Sequence, residues 1–181
     1  MYPSVNAPTY GIFVKEQEIA VCKEYPDVEY TIAFIDGSKS KKEYINSIFR
    51  IHRLIKENSF DVIHIHYGFS GLIPILVTLH GGDIQSEQGK NVQVFFTKLI
   101  LKKTSAAITL NSRMDSIVRQ YIKNTQIIPC SVNTDLFKPQ EQPIVNTRPK
   151  QVKIIFPSDR TRYVKNYPLF EKTIYLLKSK Y

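Results

Sequence analysis

Apolar and polar residues alternate along the chain in two rhythms. A 3.6-residue rhythm runs from Gly11 to Tyr25, with Ile12, Phe13, Gln17, Ile19, Ala20 and Cys22 on the repeat, and predicts a helix that Pro26-Asp27 breaks. Val28 to Ile35 is β-branched and aromatic and predicts a strand, closed by the turn Asp36-Gly37-Ser38. From Ser40 to Glu57, Tyr44, Ile45, Ile48, Phe49, Ile51, Leu54 and Ile55 return at helical spacing. Short strands are expected at Asp61–His66, Pro74–Leu79, Ala106–Leu110 and Gln126–Ile128, and helices at Val92–Lys103 and Arg113–Tyr121, the last capped by Asn111-Ser112.

Gln140 to Gln151 changes character. Pro143 and Pro149 stand among polar residues there, a linker composition. A strand at Val152–Phe156 and a helix at Asn166–Lys180 then start the pattern again. The predicted fold is α/β: a parallel Rossmann-like sheet flanked by helices over residues 1–139, a linker at 140–151, and the first βα unit of a second such domain over 152–181.

Composition narrows the class. Hydrophobic residues at 43% and charged residues at 23% are those of an ordinary globular domain. No apolar run reaches the roughly 20 residues a membrane span needs. Met1 to Pro8 is polar and carries prolines, unlike a signal segment, so a cytoplasmic location is expected. Cys22 and Cys130 are far apart and form no C-x-x-C pair; reduced, partly buried thiols are expected. The net charge of +9 points to an anionic partner. The basic residues are dispersed, as in Lys39-Ser40-Lys41-Lys42 and Lys102-Lys103, and lack the dense runs of a nucleic-acid binder, so nucleic acid is not the expected partner.

In open α/β sheets the ligand sits at the carboxyl ends of the strands. In this chain those ends carry Tyr67-Gly68, His80-Gly81-Gly82-Asp83, Asn111-Ser112 and the loop after Ile128. His64 and His66 alternate with isoleucines and share one strand face. Two histidines at that spacing can chelate a metal, but no third ligand is evident. His66 is read as lying beside the cleft and His64 as a packed core histidine.

Several of these segments resemble the retaining glycosyltransferases of family 4, which have the two-domain GT-B fold. Tyr2-Pro3…Pro8…Gly11-Ile12-Phe13-Val14…Gln17 is similar to the family's first loop and helix. Asp61-Val62-Ile63-His64-Ile65-His66-Tyr67-Gly68 resembles its D-V-I-H-x-H strand, and Thr78-Leu79-His80-Gly81-Gly82-Asp83 its T-x-H-G-x-D loop. Ile128-Pro129 with Val132-Asn133-Thr134-Asp135-Leu136-Phe137 and Pro139 resembles the link into the second domain. Ile155-Phe156-Pro157…Arg160…Lys165-Asn166 resembles the first strand and phosphate loop of the donor domain.

The resemblance implies transfer of a sugar from a nucleotide-diphosphate donor to a glycan or lipid-linked acceptor with retention, in surface polysaccharide or glycan biosynthesis. It implies a nucleotide-sugar co-substrate and no metal or other cofactor. It places His80 against the donor sugar as the catalytic-site residue. Gly11, Arg160 and Lys165 fall to the donor diphosphate, with Arg162 competing with Arg160 for the arginine role. Asp83, His66 and Asn111 fall to the acceptor or the cleft. Asp83 is equally able to cap the next helix. The basic amphipathic helix Ser40–Glu57 either covers the sheet or touches anionic headgroups at the inner face of a membrane.

Against the family pattern, a first strand would precede Tyr2, and the family's acidic E-x7-E motif would follow Tyr181. Phe69–Ile73 is too short for the dozen or so residues of a usual parallel crossover. The chain is therefore expected to be mainly the acceptor-side half of such an enzyme, with an exposed sheet edge and a tendency to dimerise. The alternative reading is a non-catalytic acceptor-binding module.

Overall fold

The computed structural model describes residues 2–3, 10–35, 41–67, 76–85, 91–135, 137–138, 154–161 and 163–179. The chain divides into two compact units, Met1–Lys138 and Pro139–Tyr181.

The first unit is built on a four-stranded sheet in the order β1-β2-β3-β4, comprising β1 His64–His66, β2 Leu76–Thr78, β3 Ala106–Thr109 and β4 Thr125–Ile127. Every neighbouring pair is parallel, with Ile65 beside Val77, Val77 beside Ala107 and Ile108 beside Gln126. Around it stand α1 Ile12–Glu24, α2 Lys41–Glu57, α3 Asn91–Leu101 and α4 Ser112–Val118. This is the Rossmann-like parallel α/β sheet that the alternation of strands and helices predicted.

The core lies around β2, β3 and α4. Val77, Leu79, Ala107, Leu101, Met114, Val118 and Ile84 form one buried cluster, edged by Leu110, Ile117, Tyr121 and Ile122. β2 is covered on both sides, with Val77 buried on one face and Thr78 on the other, as an interior parallel strand should be. Asn111 opens α4 in extended conformation, its side-chain oxygen accepting from the Met114 amide at 2.9 Å, and Asp115 closes a buried polar link to Thr109 and Arg119.

Several expectations are corrected. Val28–Ile35 forms no strand, and Val28, Tyr30 and Ile32 are exposed. β-propensity becomes a strand only beside a ladder partner, and no strand among the described residues flanks this segment. It is tied to α2, whose Arg50 guanidinium donates to the Phe34 carbonyl, and to Tyr2, whose ring meets that of Phe34. The short link between β1 and β2 does join parallel neighbours. The strands are so short that the return from His66 to Leu76 is within reach of the nine residues 67–75 at roughly 3.3–3.6 Å each. The Phe69–Ile73 part of that link lies outside the described residues. His64 is exposed on β1, which pairs only with β2 among the described residues, rather than packed in the core.

The second unit contains a 3₁₀ turn, Tyr163–Lys165, leading into α5 Tyr167–Lys178, with Pro168 in the first helical turn. Phe156 packs against Tyr167 and Phe170. Ile154–Phe156, expected as a strand, is not one, since no partner strand occurs among the described residues of this unit. Residues 140–151, read as a linker, lie outside the described residues, as do Val152 and Lys153.

Candidate functional site

Parallel register gathers the histidines. His66 stands beside Thr78, and a period of two along β2 carries that face on to His80. His64 precedes His66 by the same period. The result is a cluster across the β1 and β2 ends. His66 Nδ1 lies 3.3 Å from His80 Nε2, and their rings are stacked at 22° with centroids 5.6 Å apart. The His64 ring lies 4.4 Å from that of His66, and its Nε2 is 2.7 Å from the Thr78 hydroxyl oxygen. From α1, the Phe13 ring reaches His80 at 4.7 Å.

The cluster is neutral at physiological pH. Partial burial strips water from the imidazoles and penalises their charged forms. His66 is lowered from 6.5 to about 3 by burial, aided by repulsion from His64 and His80. His80 is lowered to about 4, again by burial first. His64 is lowered too, because surrounding atoms displace water even though much of its surface is accessible.

The loop that presents His80 is held rigidly. The Asp83 carboxylate is fully buried and accepts from the His80 backbone N–H at 3.0 and 3.3 Å. Gly81 sits at φ 94°, where a side chain would be strained whatever the surrounding space, and its carbonyl accepts from the Ile84 and Gln85 amides. At the end of β1, Tyr67 adopts φ 81°, rare for an aromatic residue. Its hydroxyl accepts from Gln93 of α3, which also donates to the Gly82 carbonyl, so one side chain ties the two strand-end loops together. A non-glycine residue held at positive φ, as Tyr67 is, belongs to the kind of strain that collects at functional sites.

Beside His80 a cavity of about 410 Å³ opens between α1 and the strand ends, with Phe13, Gln17, Leu110, Ile128 and Cys130 in its walls. That volume suits a small ligand, and apolar walls with a few polar groups are the usual lining.

Gly11 is the left-handed N-cap of α1, at φ 70°, in the helix that brings Phe13 onto His80. Asp83 braces the loop backbone, and Asn111 uses its side-chain oxygen to cap α4. Arg160 and Lys165 are exposed in the second unit, Lys165 closing the turn before α5; Arg162 lies outside the described residues. Cys22 and Cys130 are free thiols, Cys130 exposed rather than partly buried, and burial of its sulfur still raises its pKa. Among the described residues no group of three or more His, Cys, Asp and Glu side chains is arranged to hold a metal ion. No helix among them is long and apolar enough to cross a membrane.

Sequence reasoning missed Gln93 and Thr78 as parts of this site; the loop after Ile128, which carries Cys130, is among the strand-end segments it singles out. The alternation of Thr78 with Leu79 and His80 held a signal for Thr78; nothing local marked Gln93.

A parallel α/β sheet with polar, strained loops at its carboxyl strand ends defines a ligand-binding domain of the Rossmann-like class. Residues 11–136, well over half of the chain, match the model of Glycosyltransferase Family 4. The chain belongs to that family, and its first unit is a glycosyltransferase domain. Neither curated proteins nor solved structures gave a match.

Proposed function

We propose that the protein transfers a hexose from a nucleotide-diphosphate sugar to a glycan or lipid-linked acceptor, with retention, in surface polysaccharide or glycan biosynthesis. The single observation that carries this reading is the neutral His80 ring, braced by His66, Phe13 and the Asp83–backbone bond at the mouth of the strand-end cavity. A neutral imidazole hydrogen-bonds sugar hydroxyls without placing a fixed charge beside the transferring carbon. In this reading the acceptor hydroxyl attacks on the face from which the diphosphate leaves. The bond from the anomeric carbon to the diphosphate oxygen breaks as the new glycosidic bond forms. The acceptor proton passes to the departing diphosphate oxygen.

The protein's share is positioning and charge stabilisation. Gly11 at the start of α1 and, in the second unit, Arg160 and Lys165 are the proposed diphosphate groups. Asp83, His66 and Asn111 shape the cleft. The nucleotide sugar is a co-substrate, and the reading calls for no resident metal.

The proposed setting is the cytoplasm, with peripheral contact to the inner face of a membrane. In support, α2 exposes Ile45, Ile48 and Phe49 on a surface that also carries Lys42, Arg53 and Lys56. A dimer is proposed because β1 pairs only with β2 among the described residues and large apolar side chains are exposed on several helices.

The test is a panel of nucleotide-diphosphate sugars offered with glycan and lipid-linked acceptors, the products read by mass spectrometry and the anomeric configuration by NMR. A glycoside that keeps the donor's configuration is expected. A product of inverted configuration would overturn retention. Donor-independent acceptor binding with no transfer or hydrolysis would make the chain a binding module.

A further inference from the structure

We infer that His66 is a positioning residue: its Nδ1 accepts a hydrogen bond from Nε2–H of His80 and so fixes the His80 ring with Nδ1 as a bare lone pair, the acceptor for a substrate hydroxyl. The substrate part of this inference rests on the proposed function; the tautomer does not.

The geometry is that of two imidazoles sharing one proton line. The facing nitrogens are 3.3 Å apart, a hydrogen-bond distance, and the ring planes are within 22° of parallel. Two bare lone pairs at that distance would repel, and two N–H groups would collide, so one ring donates and the other accepts. Both rings are neutral near pH 7, so each holds a single N–H.

That leaves two assignments. In one, both rings carry the proton on Nδ1. In the other, both carry it on Nε2, the intrinsically preferred tautomer of a neutral histidine side chain. The second satisfies the bond and keeps both rings in their favoured form.

The neighbours hold the pair in place. The His64 ring packs on His66 while its own Nε2 engages Thr78, and Phe13 packs on His80. Asp83, the nearby carboxylate, is turned to the His80 backbone N–H. His66 thus does for His80 what an outer-shell partner does for a liganding histidine: it sets which nitrogen is available and where it points. The consequence is a polarity rule. His80 Nδ1 takes a hydrogen from a sugar hydroxyl and discriminates against a donor whose corresponding hydroxyl is removed or methylated.

The test is the long-range ¹H–¹⁵N imidazole spectrum of the full chain, labelled with ¹⁵N-histidine, at pH 7. The expected result is a protonated Nε2 and a bare Nδ1 for His80. His66→Phe should move the His80 shifts towards a mixture of tautomers, and His66→Asn, whose carbonyl can accept the same bond, should restore them. A His80 ring protonated on Nδ1 in the wild-type chain would overturn the assignment without recourse to any variant. Unchanged His80 shifts in a folded His66→Phe chain would also overturn it.

In the transfer assay, His66→Phe should lower kcat about tenfold to a hundredfold while KM stays within about twofold, the signature of lost alignment, and His66→Asn should recover most of it. An intact tautomer result with no transfer by any variant or by the wild type would count against the glycosyltransferase reading and leave the His66–His80 bond standing.

Discussion

The helices α4 and α1 are held in two different ways. α4 buries Met114, Asp115 and Val118 against β3 and β4, and Asn111 caps it. α1 is longer, yet it buries no residue fully and lacks a side-chain cap; its Phe13 meets His80, and its Glu18 accepts from the Tyr2 hydroxyl. The difference lies in the residues: the apolar side chains of α1 are spread around the helix, with Ile12 and Ile19 exposed and Phe13 and Val14 half-buried. A helix gains most of its stability in a protein by laying its apolar stripe on something. α4 lies on β3 and β4. The candidate site sits where these two regimes meet, with its strand-end floor built on the core and its Phe13 wall supplied by the loosely held helix.

That contrast can be broken most directly in the core. Leu79→Ala removes a fully buried side chain next to the His80 loop and should cost about 3 kcal/mol in denaturant unfolding. A loss as small as a surface substitution would refute the packed floor.

Acid sharpens the same point. The folded pKa values of His66 and His80 lie below the unfolded value, at about 3 and about 4 against 6.5. The unfolded chain therefore binds protons first. Stability is full above pH 6.5 and falls as the pH drops from 6.5 through 4 towards 3. His66→Phe should flatten that slope in unfolding measurements at stepped pH. Asn111→Ala deletes the α4 cap and should lower stability by about 1 kcal/mol. Ile19→Ala, on the exposed side of α1, should change it by less than about 0.5 kcal/mol in the same measurement.

Much of the fold is legible in the chain. The four parallel strands and their helices follow from periodicity and turn residues, and the alternation in His64-Ile65-His66 is enough to put both imidazoles on one strand face. The bond between His66 and His80 is not legible, because it depends on the register of β1 against β2, which is fixed only when the sheet assembles. Val28–Ile35 and Ile154–Phe156 read as strands for the same reason that they fail to form them: propensity reports what a segment can do beside a partner, not whether a partner is there. Asp83 and Asn111 carry the same ambiguity. Short polar side chains at strand ends serve ligands or backbone equally well, and both have backbone amides as partners.

The role of His80 is tested most directly by comparing sugar transfer by the wild-type chain and His80→Ala, each shown to be folded by its unfolding midpoint, over the same panel of nucleotide-diphosphate sugars and acceptors. Transfer by the wild type is expected, with a loss of about 100-fold in kcat for the variant. Transfer by His80→Ala at the wild-type rate would contradict the placement of the reaction at the β1–β2 strand ends.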